Sequence, residues 1–238
     1  MEDFKRRVSG HRERLRERFL KYGLSAFTDE EVVEMLLTFG TPRRDCKPAA
    51  REALKRFGTL AGVLEAPLEE LTKVPGIGPK NALALKFVQE VAGRFLAQRL
   101  PGRPYVSSSQ EVYEYLVHRL APLKKEAFHV LYLDARHRIL AVEELARGTV
   151  NQSVVYPREV MERAFHHQAS ALVLAHNHPS GDPSPSAADI ALTKRLFLAA
   201  KLLDLRLLDH LVVAKGGYFS FADEGLMAQI EAEVRRIG

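Results

Sequence analysis

The chain has 238 residues, 46% hydrophobic and 27% charged, with a formal net charge of +5, which describes an ordinary folded protein of one large or two small domains. No apolar run reaches 18 residues, so no membrane-spanning helix is expected, and the polar start Met-Glu-Asp-Phe-Lys-Arg-Arg does not read as a secretory signal. The single cysteine, Cys46, excludes an internal disulfide and a cysteine-rich metal site, and the expected location is cytoplasmic.

Residues 1–100 hold 19 Lys and Arg against 14 Asp and Glu, whereas 101–238 hold 16 of each, so the whole charge excess lies in the N-terminal part. Residues 1–22 carry Lys5, Arg6, Arg7, Arg12, Arg14, Arg16, Arg18 and Lys21. Such a segment suits a phosphate-binding face. A solvated helix is an equally good account, because Glu13 and Glu17 are interleaved with the arginines. Apolar residues then recur at helical spacing over 30–39, 49–57, 60–64, 68–71 and 82–96, punctuated by Gly23, Gly40 and Gly58, so 1–100 reads as all-helical. Between two of these stretches lies Val74-Pro-Gly-Ile-Gly-Pro-Lys80. A Gly76-Ile77-Gly78 turn feeding a helix at Pro79 exposes backbone amides with the positive end of the helix dipole behind them, which suits an anion. Lys73 and Lys80 flank it. A tight helical hairpin that merely needs φ > 0 at its glycines explains the same residues slightly better on spacing alone.

Pro101, Gly102 and Pro104 mark 101–105 as the linker to a second domain, 106–238. There the texture changes. A serine-capped helix is expected over 109–118, a strand over 128–133 with a hairpin partner at 139–144, and a possible third strand at 149–155. A helix follows at 157–167 with proline in its first turn, then a buried strand over 171–175 and a helix over 187–203. Strands at 207–214 and 218–221 close as a hairpin. Strands mixed with helices in this order give a central sheet covered by helices.

The densest chemistry is in Ala175-His-Asn-His-Pro-Ser-Gly-Asp-Pro-Ser-Pro-Ser-Ala-Ala-Asp189. Residues two apart in a strand point the same way, so His176 and His178 present two imidazoles side by side at a strand end. A Pro/Gly/Ser loop then brings Asp189 into the first turn of the next helix. Ser186-x-x-Asp189 alone is close to a helix capping box, which needs no further role. Taken together, two nitrogens and one carboxylate converging from a strand end and a helix start suit one Zn²⁺ with a fourth position open, the pattern of a catalytic site.

The spacing His176-x-His178-x₇-Ser186-x-x-Asp189 resembles the JAMM signature of the JAB1/MPN metallohydrolases. The text His-Asn-His-Pro-Ser-Gly, with Arg147-Gly-Thr149 and Tyr156-Pro-Arg-Glu159 upstream, is similar to the RadC family over essentially the whole chain. The resemblance implies a mixed sheet of the cytidine-deaminase-like type flanked by helices. It implies that His176, His178 and Asp189 bind zinc with water as fourth ligand, and that Ser186 steadies that water or the tetrahedral intermediate. Many JAMM peptidases have Ser or Thr between the two histidines; Asn177 stands there in this chain, as in RadC proteins, and this departure bears on the substrate class. The Val-Pro-Gly-Ile-Gly text resembles the helix-hairpin-helix motif, which implies that Gly76, Ile77, Gly78 and Lys80 contact a DNA phosphate without reading sequence.

A JAMM-type site also needs a glutamate as general base. Glu126, Glu143 and Glu144 precede the motif in the sheet region. The family's glutamate stands at the head of a strand beside the His-x-His strand, and Glu126 matches that position. His210, His166, His167 and Cys46 read as structural, and Arg147, Gly148 and Thr149 could line a cleft. Three functions fit: a peptide or isopeptide hydrolase, a metal-dependent nuclease suggested by the family's traditional link to DNA repair, and a non-catalytic DNA-binding factor with structural zinc.

Overall fold

The computed structural model describes residues 2–41, 44–105, 109–148, 155–215 and 217–237, except the side chains of 2–9, 109, 236 and 237. It divides into two compact units, Met1–Ala92 and Gly93–Gly238.

The first unit is all-helical: α1 (Glu2–Tyr22), a short 3₁₀ turn, α2 (Asp29–Gly40), α3 (Lys47–Phe57), α4 (Leu60–Glu65), α5 (Leu68–Leu71) and the first part of α6 (Pro79–Arg99). Local chemistry sets these boundaries. Thr28 and Glu31 close a capping box at the start of α2, and Thr59 caps α4 by accepting from the Gly62 amide. The buried faces meet in one core built on Val33, Leu37, Ala50, Val63, Leu71, Ile77 and Leu85. Asn81 is buried at the start of α6, where its amide donates to the Leu37 carbonyl (2.7 Å) and the Thr41 hydroxyl (2.6 Å). Cys46 is buried at the N-cap of α3.

The second unit is a five-stranded sheet with helices on both faces. Its elements are α7 (Ser109–Leu120), β1 (Ala127–Leu133), β2 (Ile139–Arg147), α8 (Pro157–His166), β3 (Ala171–Asn177), α9 (Ala187–Leu202), β4 (Arg206–Ala214), β5 (Gly217–Ser220) and α10 (Leu226–Ile237). The order across the sheet is β2-β1-β3-β4-β5. β3 and β4 run parallel and every other neighbouring pair antiparallel, so the sheet is mixed as expected. Side chains alternate between two cores. Phe128, Val130, Tyr132, Leu172, Leu174 and Val212 pack with α8, α9 and α10; Leu131, Leu133, Val173, Leu211 and Val213 pack with α7. Each such side chain, fully buried, is worth about 1.5–3 kcal/mol.

Three readings of the sequence need correction or completion. Residues 101–105 are not a free linker. The Gly102 amide donates to the Ile139 carbonyl, the Ile139 amide to Arg103, and the Tyr105 amide to His137, while Leu100 is buried in the α7-side core. The division between the units falls earlier, at Ala92/Gly93, within the residues of α6. A closing helix, α10, follows the final hairpin, with Met227, Ile230 and Val234 facing the core. The strand expected over 149–155 falls almost wholly outside the described residues, and Val155 is a buried residue ahead of α8.

Candidate metal centre

β3 ends in the two histidines. His176 and His178 share the parity of Leu172 and Leu174, so both fall on the face covered by α8, α9 and α10. After His178 the chain turns through Gly181, whose φ of +92° is costly for residues with a Cβ, and the Gly181 amide donates to the His178 carbonyl. The loop then delivers Ser186 as N-cap of α9 and Asp189 as its third residue. Their capping box is complete. The Ser186 amide (2.7 Å) and hydroxyl (2.6 Å) both donate to Asp189 Oδ2, and the Asp189 amide donates to Ser186 Oγ (3.2 Å). The box, worth about 1 kcal/mol to the helix, also fixes the carboxylate's orientation.

The three expected ligands come together. His176 Nε2 lies 3.0 Å from His178 Nε2 and 3.2 Å from Asp189 Oδ1, and His178 Nε2 lies 3.3 Å from Asp189 Oδ2. Four ligands around Zn²⁺ at about 2.0–2.1 Å stand roughly 3.3 Å apart along the edges of a tetrahedron, so these separations fit a common ion. The donor set fits too. His178 Nδ1 faces the Asp182 carbonyl at 2.9 Å, and a carbonyl only accepts, so the ring proton is on Nδ1 and Nε2 offers a lone pair. The Ser186 amide and hydroxyl both donate to the Asp189 carboxylate, which favours its charged form. Among the described residues, His176, His178 and Asp189 are the one group of histidine, cysteine or acidic residues placed to hold a metal.

Behind the ligands stands a residue that sequence reasoning took as structural. His210, on β4, is fully buried, with Nε2 2.9 Å from His176 Nδ1 and Nδ1 2.7 Å from Thr193 Oγ1. Burial holds its pKa well below the usual histidine value. The register of β3 on β4 shifts by one residue after Leu172↔Leu207, and this bulge turns His210, rather than Asp209, toward the histidines. The sequence did carry one signal: Asp209-His210 is a polar pair inside a strand that is otherwise apolar after Arg206.

Glu126 directly precedes β1. Phe128 pairs with His176, and the Gly148 amide donates to the Glu126 carbonyl, so the strand's neighbourhood carries on to Glu126. Extending that register and alternation by two residues sets the Glu126 backbone beside His178, on the parity of the ligands. Asn177 braces this segment. It is buried, accepts from the Ala127 amide (2.8 Å), and donates to the Lys125 (3.2 Å) and Leu123 (3.4 Å) carbonyls. A hydroxyl side chain could not reach three backbone groups at once, so the residue between the two histidines has a structural reason to be Asn. Glu143 and Glu144 stand further along the sheet, on β2. Glu143 contacts His167 (2.9 Å) and Arg163 (3.9 Å), and Glu144 forms a two-point pair with Arg147 (2.7 and 2.8 Å). Arg147 is occupied by this pair, Gly148 is buried, and Thr149 lies outside the described residues.

In the first unit, Gly76 has φ +90°, and a Cβ there would stand 3.0 Å from the Ala49 Cβ, so the turn requires glycine. Ile77 is buried in the core and its amide donates to the Val74 carbonyl. Among the described residues, the amides of Gly76, Gly78 and Lys80 donate no hydrogen bond, while those of Asn81 and Ala82 donate to Gly78. Within the basic N-terminal segment, Arg18 pairs with Glu31 (2.5 Å), Arg16 with Glu13 (3.9 Å), and Arg12 is buried against the Arg44 carbonyl. The side chains of Lys5, Arg6 and Arg7 lie outside the described residues.

The sheet, its covering helices and a His-His-Asp group converging at the end of β3 define a JAB-type α/β domain with a candidate site for one metal ion. Comparison with known proteins makes this specific. Residues 106–226 match the RadC-like JAB domain, and residues 9–83 match the UPF0758 N-terminal domain, one match within each unit. A UPF0758 protein of Rhodobacter capsulatus is 48% identical over 213 residues, covering 90% of this chain and 100% of that protein. One from Methylibium petroleiphilum is 48% identical over 214 residues (90% and 96%), and one from Stenotrophomonas maltophilia 44% over 217 (91% and 93%). The chain belongs to the UPF0758 family of proteins with a RadC-like JAB domain.

Proposed function

We propose that this protein is a zinc-dependent hydrolase of the JAMM type, that it acts on a peptide or isopeptide bond, and that its N-terminal unit associates with DNA. One observation carries the reading. Two imidazole nitrogens and a carboxylate converge at 3.0–3.3 Å, with a carbonyl behind one ring and an imidazole behind the other. When bound there, Zn²⁺ supplies Lewis-acid activation of a water and of a carbonyl. His176, His178 and Asp189 hold the ion. Ser186 keeps Asp189 oriented, and where its hydroxyl is released from that carboxylate it donates to an oxyanion. Glu126 takes the proton from the attacking water and returns it to the leaving amine. Asn177 supports this by fixing the backbone on which Glu126 stands.

The DNA association rests on the open amides of Gly76, Gly78 and Lys80 at the start of α6, with the side chain of Lys80 adding charge. Such a contact grips phosphate and is insensitive to base sequence.

The test is a screen of the zinc-loaded full chain against amide-linked protein conjugates and against single-stranded, duplex and branched DNA, with Asp189→Asn as the control. Cleavage of conjugates by wild type alone is expected. Cleavage of DNA alone overturns the amide reading in favour of a nuclease, and cleavage of neither favours a DNA-binding factor.

A further inference from the structure

We propose that His210 and Thr193 are positioning residues that keep the proton of His176 on Nδ1, so that its Nε2 is presented to a divalent cation. The inference rests on the metal-site reading above and adds two residues outside the family's ligand signature.

Thr193 Oγ1 is 2.6 Å from the Asp189 carbonyl oxygen and 2.7 Å from His210 Nδ1. Two oxygens at 2.6 Å need a proton between them, and the carbonyl has none, so the Thr193 hydroxyl donates to Asp189. A hydroxyl has one proton. Toward His210 it therefore accepts, and the His210 proton lies on Nδ1. With no carboxylate hydrogen-bonded to it, a fully buried cationic imidazole would be costly, so His210 Nε2 is a bare acceptor. The atom opposite, at 2.9 Å, is His176 Nδ1, which must then be the donor. This leaves Nε2 of His176 as a lone pair, facing His178 Nε2 and Asp189 Oδ1.

The circuit begins and ends on Asp189, hydrogen-bonded as far as His176 and closed by a 3.2 Å approach that carries no proton. Its backbone carbonyl anchors the proton order, and its carboxylate meets the nitrogen which that order has cleared. The circuit crosses three elements, α9, β4 and β3, so it also ties the helix that carries one ligand to the strand that carries the other two. Its enclosure is apolar. Phe221 stacks on His210 (centroids 4.9 Å apart, planes at 27°) and Phe128 meets its edge (5.8 Å, 71°). Both phenylalanines are buried, which leaves the rings little alternative hydrogen bonding.

The experiment measures zinc affinity by chelator competition, and histidine tautomers by ¹⁵N NMR, on the full-length zinc-loaded protein. In wild type, the His176 and His210 protons are both expected on Nδ1. Thr193→Val, which keeps the volume and loses the hydroxyl, should weaken zinc binding about 10–100-fold. Thr193→Ser should restore most of it. A merely structural role for Thr193 would change the melting temperature without changing the tautomers or separating Val from Ser in affinity. His176 ligating through Nδ1, or a Thr193→Val protein with unchanged zinc affinity and tautomers, overturns the proposal. The wild-type spectra decide it even where Thr193→Val fails to fold. Failure of the underlying reading looks different: wild type and Asp189→Ala then bind zinc equally poorly.

Discussion

Two helix starts in this molecule use the same local device and finish it in opposite ways. α6 follows a Pro/Gly turn and begins at Pro79 with no acidic residue in its first turn, and the amides of Gly76, Gly78 and Lys80 donate to nothing among the described residues. α9 follows a Pro/Gly/Ser loop and begins at Ser186, but its own Asp189 closes the end with a capping box. An open helix start keeps its positive end available to an anion. A start closed by a carboxylate is locally satisfied, and the second oxygen of that carboxylate is left to face a cation. The difference between the open start and the closed one is thus made largely by one acidic residue three positions into a helix.

The sharpest way to break this comparison is to remove that residue. Asp189→Ala should reduce zinc from about one ion per chain to near zero by elemental analysis and abolish hydrolysis, since a ligand and its charge are both lost. Zinc retained at the wild-type level would show that the carboxylate only caps the helix.

Next in size is the general base. Glu126→Gln should cost about 10²–10⁴ in hydrolysis rate while zinc content and melting temperature stay unchanged. An equal loss from Glu143→Gln, which should instead disturb only the His167 and Arg163 contacts, would move the assignment.

Acid should destabilise the C-terminal unit. His129 is buried on β1, and burial pushes its pKa down to about 4, with Glu144 at 3.8 Å opposing that fall only partly. The unfolded chain binds the proton near pH 6.5 and the folded chain only near 4. Stability is therefore unaffected above the unfolded pKa and is lost as pH falls from about 6.5 to 4, by up to ~3 kcal/mol. In His129→Gln that slope should become shallower, the part due to buried His210 remaining, which urea unfolding of the C-terminal unit at a series of pH values would measure. A wild-type slope unchanged in the variant would place the acid sensitivity elsewhere.

Smaller effects test the open helix start. Gly76→Ala should destabilise the N-terminal unit by about 1–3 kcal/mol, because φ +90° and the Ala49 methyl both oppose a Cβ, while zinc content is unchanged. Lys80→Ala should weaken DNA binding a few-fold at low salt and reduce the slope of log K against log[salt] by about 1. Full DNA affinity in both variants would leave the α6 turn as a packing device only.

How much could be read in advance follows the same division between local and long-range structure. The convergence of His176, His178 and Asp189 was legible because every step toward it is short-range: strand alternation aligns His176 with His178, and a capping box places Asp189. The central sheet covered by helices was legible from the order of apolar runs, and its mixed character from the family resemblance. His210 was not, because its approach to His176 depends on a parallel pairing between distant strands and on a one-residue bulge within it. The role of Asn177 was equally hidden. Its partners, Ala127, Lys125 and Leu123, lie about fifty positions back in the chain. The misplaced linker has a simpler cause. Prolines and glycine at 101–105 do break the helix, but Leu96, Ala97 and Leu100 continue an apolar face that packs into the second core, so the turn is docked instead of free. The closing helix could have been found from the spacing of Met227, Ile230 and Val234.

In the proposed reading, zinc is held by two imidazoles and a carboxylate at the end of β3. X-ray absorption at the zinc edge, on protein purified without added metal, tests it most directly. The expected spectrum contains nitrogen and oxygen neighbours at about 2.0–2.1 Å, the imidazole scattering of two histidines, and no sulfur. A sulfur neighbour at about 2.3 Å would assign the metal to Cys46 in the other unit, and a protein without zinc would contradict the claim outright.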